Sequence, residues 1–201
     1  MKKTKGFNIS LLGDTTVGKT SIVSTYTKVG FNMGTLTTTG IDSNITKKKF
    51  DNKEYKFIIF DTAGQERYKS LSNTTIQIAD GFFMVFAVDN RDSFIKIIDW
   101  IKFIDDHTNL DEKVLYLIGN KIDVELEERM VKKEEAEEFA KSKNAKYFET
   151  SALKNEGIKE AFEEIFKDIY EMYKQGKTRN SNFNLDVKNI NNENNKKKKK
   201  C

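Results

Sequence analysis

The chain has 201 residues, enough for one ordinary domain and a tail, and its 37% hydrophobic and 33% charged residues are the mix of a globular protein with a wet surface. One histidine, His107, and one cysteine, Cys201, exclude a His-based zinc site, leave little scope for a histidine triad and permit no intrachain disulfide, which fits a reducing compartment. The net charge is +4, and Lys196–Lys200 alone carry five positive charges, so the rest of the chain stands at −1, too near neutral for a nucleic-acid-binding domain.

No stretch approaches the roughly 18 uninterrupted apolar residues of a membrane span. The run from Phe7 to Leu12 is too short and mixed for a signal peptide and reads as a strand. A helix is predicted from Gly18 to about Lys28. Ile45–Phe50 and Tyr55–Phe60 flank Asp51-Asn52-Lys53-Glu54, which reads as a hairpin turn. Phe82–Val88 and Val114–Ile118 are near-continuous apolar runs, as central strands buried on both faces require. Between them Phe94, Ile97, Ile98, Ile101 and Ile104 recur at helical spacing. Lys133–Lys143 and Lys159–Lys174 read as amphipathic helices, with Tyr147-Phe148 as a short last strand between them. The alternation predicts a doubly wound α/β fold: a six-stranded, mostly parallel sheet with one antiparallel strand and helices on both faces, in three layers. Residues 1–175 form this domain. Residues 176–201 are crowded with asparagine, bury too little to offset their ordering entropy and read as a disordered tail. The chain has no proline, so its helix ends rely on other residues.

Three sets of residues carry chemistry. Gly13-Asp14-Thr15-Thr16-Val17-Gly18-Lys19-Thr20 fits G-x-x-x-x-G-K-[ST], between a predicted strand and a predicted helix. Glycines let the backbone curl so that N–H groups face a phosphate chain, and the helix N-terminus, including Ser21, adds its positive end. Lys19 neutralises terminal phosphate oxygens and Thr20 offers a hydroxyl to Mg²⁺. This cradle does not by itself distinguish ATP from GTP.

Asn120-Lys121-Ile122-Asp123 follows the strand that starts at Val114, at the carboxyl end where such sheets bind ligands. The Asp123 carboxylate can accept from guanine N1–H and the 2-amino group, donors that adenine lacks there. The Lys121 stem can cover one face of the base. Thr150-Ser151-Ala152, after the last strand, offers backbone N–H groups to the guanine oxygen, with Leu153 next to it at the nucleotide. In Asp61-Thr62-Ala63-Gly64-Gln65-Glu66, Asp61 can reach Mg²⁺ through water, Gly64 can offer its N–H to a γ-phosphate, and Gln65 can orient an attacking water. Gly34–Gly40, rich in hydroxyls, reads as a second loop that senses the same phosphate.

With these motifs in this order, residues from Phe7 to about Lys174 resemble the Ras superfamily of small GTPases, and within it the Rab branch. The resemblance implies a P-loop NTPase fold and a monomeric GTPase that binds GTP or GDP with Mg²⁺ and hydrolyses GTP to GDP and phosphate. It implies slow turnover, on the order of 10⁻⁴ to 10⁻² s⁻¹. It places Thr38 as the Mg²⁺ ligand of the first switch and Phe31 edge-on against the base. Gly40-Ile41-Asp42, the run Asp61–Leu71 and the basic tail ending in Cys201 carry the Rab likeness. The implied role is regulation of vesicle and membrane trafficking, cycling between cytosol and the cytoplasmic face of intracellular membranes. The implied partners are an exchange factor, a GTPase-activating protein, effectors and a dissociation inhibitor or escort protein. Lys196–Lys200 is a solvated charge run or a membrane address; prenylation of Cys201 supplies the second anchoring signal in the latter case. Ser43, Phe60 and Thr75–Ile78 depart from the Rab pattern on the effector surface, so no known Rab's partner is assigned. A soluble nucleotide-gated scaffold with little hydrolysis is the alternative, since Thr15 and Thr16 add bulk near the γ-phosphate.

Overall fold

The computed structural model describes residues 5–27, 41–62 and 75–177. The described chain runs β1 (Gly6–Leu12), α1 (Lys19–Tyr26), β2 (Ile41–Phe50), β3 (Lys53–Thr62), a helical turn at 75–78, β4 (Gly81–Ala87), α2 (Arg91–Ile95), α3 (Ile97–Asp105), β5 (Val114–Asn120), α4 (Lys133–Ser142), β6 (Lys146–Thr150) and α5 (Ile158–Lys174). The six strands form one sheet in the order β2-β3-β1-β4-β5-β6. Only the β2–β3 pair is antiparallel. This is the architecture expected from the sequence.

The alternation of strand side chains sends two apolar sets to opposite faces. Phe7, Ile9, Leu11, Phe57, Ile59 and Val85 pack under α1 and α5. Leu12, Phe82, Met84, Phe86, Leu115 and Leu117 pack under α2, α3 and α4. Aromatic rings fill the first layer: Tyr26 stacks on Phe162 at 4.0 Å between centroids, and Phe57 meets Phe166 at 4.4 Å. Both α1 and α5 are thereby fixed to the sheet.

Two elements differ from expectation. The hairpin loop has two residues, not four: Asp51 and Asn52 take φ of 46° and 61°, the left-handed pair of a tight turn, while Lys53 and Glu54 pair with Phe50 and Lys49. The helical stripe 94–104 is two helices meeting at Lys96. Trp100, not Ile98, fills the buried position, and Ile98 is 53% exposed. α5 ends in a Schellman closure: Gly176 (φ 72°) donates its N–H to the Tyr173 carbonyl and Lys177 donates to that of Met172.

Asp80 is buried before β4, where its Oδ2 accepts the Asn8 backbone N–H at 2.8 Å. Burial pushes its carboxyl from 3.8 up to about 6, against the pull of that N–H, Lys113 and Lys5. The folded state thus holds this proton more tightly than the unfolded chain. Stability from this group is full below about pH 4 and is lost as pH rises through about 6. Asp80→Asn keeps an acceptor and removes the charge. We expect it to raise stability by about 1–2 kcal/mol at pH 7.5 and leave it unchanged at pH 4. Thermal melts at both pH values check this; an equal shift at both rules the ionisation out.

Candidate nucleotide site

β1, β3, β4, β5 and β6 are parallel, so the ends of β1, β3, β5 and β6 gather at one edge of the sheet. The turn from β1 into α1 curls through Gly13 (φ 146°), Thr16 (φ 61°) and Gly18 (φ 97°). A β-branched residue at positive φ is strained, and such strain is held at functional loops. α1 starts at Gly18 with no side-chain cap and no acidic residue in its first turn, which includes Ser21, leaving its N–H groups for an anion.

Lys19 is 6% exposed, and its ammonium donates to the carbonyls of Gly13 (3.0 Å) and Asp14 (2.7 Å), folding the side chain back over the loop. Burial lowers its pKa to about 8, with Asp61 and Asp14 opposing the shift. Thr20 donates its hydroxyl to Asp61 Oδ2 at 2.6 Å. Asp61 is 2% exposed; burial raises its carboxyl above the usual range, offset in part by Thr20 and Lys19. Its other oxygen, Oδ1, is buried with no hydrogen-bond donor among the described residues. A buried carboxylate oxygen lacking a donor, beside a hydroxyl and a phosphate loop, fits a hard divalent cation.

The base side is built by two loops. Asn120, 2% exposed, donates from Nδ2 to the Val17 carbonyl at 2.8 Å and accepts the Thr150 hydroxyl at 3.0 Å, tying the phosphate loop to both base loops. A Cβ on Gly18 would lie 2.3 Å from Asn120 Nδ2, so that position needs glycine. Lys121 is left-handed (φ 69°) and its ammonium lies 3.3 Å from Asp89 Oδ2. Asp123 Oδ1 accepts the Ser151 hydroxyl at 2.5 Å. The Ser151 backbone is bridged to Glu156 in both directions, and Ala152's carbonyl accepts the Thr25 hydroxyl at 3.2 Å. Leu153 is 54% exposed at the edge of this loop.

The structure therefore brings together Gly13 to Ser21, Asp61, Asn120, Lys121, Asp123 and Ser151 to Leu153. Phe31, Thr38, Gly64, Gln65 and Cys201 lie outside the described residues. Three contributors have no sequence signal: Thr25 on the Ala152 loop, Asp89 on Lys121, and Lys96, whose ammonium is 2.7 Å from Asp14 Oδ2. Each joins segments far apart in the chain, which a local pattern does not record.

A phosphate cradle on β1 and an Asn-Lys-x-Asp loop on β5, hydrogen-bonded to each other, define a P-loop protein that binds guanine nucleotides. The model of the Ras family matches residues 8–171. Rab-8A of Bos taurus is 36% identical over 163 residues, covering 81% of this chain and 78% of that protein. Rab-10 of Diplobatis ommata is 37% identical over 163 residues, covering 81% and 80%. Rab-8 of Diplobatis ommata is 36% identical over 176 residues, covering 88% and 82%. The chain belongs to the Ras family. It is a Rab-like small GTPase that binds GTP and GDP, hydrolyses GTP and regulates membrane trafficking with regulators and effectors. The scaffold alternative is not favoured.

Proposed function

We propose that the nucleotide sits with its base between the 120–123 and 151–153 loops and its phosphates on residues 13–21. The observation that carries this is the Asn120 side chain, which joins the phosphate loop to both base loops. Thr20 and Asp61 would hold Mg²⁺ with Thr38, and the ion would draw charge from the β- and γ-phosphate oxygens. Lys19 exchanges its two loop carbonyls for phosphate oxygens. Ser21 adds the first-turn N–H. Asp123 reads the base, Lys121 and Phe31 cover it, and Ala152 and Leu153 close the rim.

Hydrolysis joins a water oxygen to the γ-phosphorus while the bond to the β–γ bridging oxygen breaks; GDP leaves with the electron pair, and the water's protons pass to the released phosphate and to solvent. Gln65 orients that water, Gly64 holds the γ-phosphate, and Lys19 stabilises charge growing on the bridge. Loss of the γ-phosphate releases Thr38 and Gly64 together, which is the switch. Lys196–Lys200 and a prenyl group on Cys201 hold the protein on the cytoplasmic face of a membrane, with an exchange factor, an activating protein and a dissociation inhibitor or escort governing the cycle.

Single-turnover phosphate release tests the catalytic assignment. Gln65→Leu is expected to slow it by at least about tenfold, within the range of water-positioning groups, with GTP affinity unchanged. Release at the wild-type rate would remove Gln65 from the mechanism.

A further inference from the structure

The end of the sheet opposite the nucleotide carries a charge pattern that folding does not reward. β1 and β3 both start there, Gly6 opposite Lys56, beside the β2–β3 turn. The C-terminal turns of α5 reach the same corner. Tyr170 donates its hydroxyl to Asp51 Oδ2 at 2.9 Å, Lys174 lies 3.2 Å from that oxygen, and Phe50 stacks on Tyr170 at 4.6 Å. The Lys5 ammonium lies 3.5 Å from the centre of the Tyr173 ring. Lys5, Lys53 and Lys174 thereby lie on the α5 face of this end of the sheet, Lys49 and Lys56 lie on its other face, and Lys177 follows α5; Lys49, Lys53, Lys174 and Lys177 are exposed.

The carboxylates at this corner are Asp51, Glu54 and Glu171. Asp51 is engaged by Tyr170 and Lys174, and Glu54 by Lys47 at 2.9 Å. Lys49, Lys53, Lys56 and Lys177 have no ion pair among the described residues. Lys47 sits directly opposite Lys56 in the antiparallel pair, a placement that costs stability. An excess of cations kept at such a cost fits an anionic surface. Residue 177 is also where the tail with Lys196–Lys200 leaves the domain.

We propose that this corner is a second contact for an anionic lipid bilayer. It lays the β2–β3 turn and the end of α5 on the membrane and points the nucleotide edge away. A bilayer fits better than an acidic peptide because the lysines are spread over three segments around the tail's outlet. A charged plane lying across the strand ends needs only that they share one end of the sheet. The proposal rests on the membrane reading above but not on the lipid at Cys201.

The test is sedimentation of the full-length, GDP-loaded protein with neutral vesicles and with vesicles of about 30 mol% phosphatidylserine, at low and high salt. Three variants accompany the wild type: Lys49→Gln with Lys53→Gln, all five tail lysines to Gln, and Lys132→Gln with Lys133→Gln. The last pair is exposed near the end of β4, at the nucleotide edge, and carries the same charge change. The hairpin pair is expected to lose about fivefold in partitioning per lysine on anionic vesicles, an effect that salt erases, while the control pair stays with the wild type. All variants should retain GDP.

Wild-type partitioning by the hairpin pair, equal loss in the control pair, or no wild-type preference for anionic vesicles overturns the proposal. If the tail variant alone loses binding, the tail reading stands and the corner falls. If the hairpin pair alone loses it, the reverse holds. Capture of the corner by polyglutamate without vesicle binding assigns it to an acidic protein instead.

Discussion

Asp123→Asn is expected to weaken GDP binding by about 10²–10⁴-fold and to improve binding of xanthosine diphosphate. Two hydrogen bonds to a charged acceptor contribute about 1.5–3 kcal/mol each, which sets that range. The Ser151 hydroxyl already donates to Asp123 Oδ1 at 2.5 Å, so the side chain is held before the base arrives. The carboxylate accepts from guanine N1–H and the 2-amino group. A carboxamide meets that amino group with an N–H of its own, donor against donor. Xanthine has a carbonyl at the same carbon, so the amide N–H gains an acceptor. Displacement of a fluorescent GDP analogue by GDP and by xanthosine diphosphate measures both arms. Unchanged GDP affinity would mean that the base is read elsewhere. Equal loss for both nucleotides, with a lowered melting temperature, would mean that the substitution merely unsettles the loop.

How much of this site the sequence discloses depends on how local each part is. The phosphate cradle is contiguous, so its residues and its place between strand and helix are legible without coordinates. The base loop is legible because Asn120 to Asp123 ends a strand whose apolar run is unmistakable. The hairpin is misjudged by two residues because the left-handed pair Asp51-Asn52 closes it, and the polar Lys53 and Glu54 look like more loop while pairing as strand. Ile98 is misplaced for another reason. Helical spacing admits it to the apolar stripe, but the break at Lys96 rotates the second helix so that Trp100 is buried instead. Thr25, Asp89 and Lys96 are out of reach because their contacts are tertiary. Thr25 lies 127 residues from Ala152 and Lys96 lies 82 from Asp14. No periodicity or motif spans such distances. These three brace the loops proposed above to hold the nucleotide.

Gly13→Ala is expected to destabilise the folded domain by about 3–5 kcal/mol, lowering the melting temperature by on the order of 10 °C. Gly13 follows β1 and begins the phosphate loop, with φ of 146°, a conformation that L side chains rarely adopt. A Cβ there would stand 2.1 Å from the Val85 carbonyl oxygen and 3.1 Å from its carbon. Val85 lies in the middle of β4, buried and paired with Ile118 of β5, so it cannot yield without disturbing the central sheet. The first phosphate-loop turn must therefore move instead. That turn supplies one of the two carbonyls holding Lys19, so the lysine loses its anchor with the fold. The two losses separate by experiment. Melts of the nucleotide-free protein report the packing cost, and the GDP off-rate at a temperature well below the transition reports the loop. If the melt is unchanged while GDP leaves faster, the clash is absorbed within residues 13–18 and β4 is less rigid than its burial implies. If both shift, the glycine is needed first by the sheet, and the phosphate site inherits the requirement from its support.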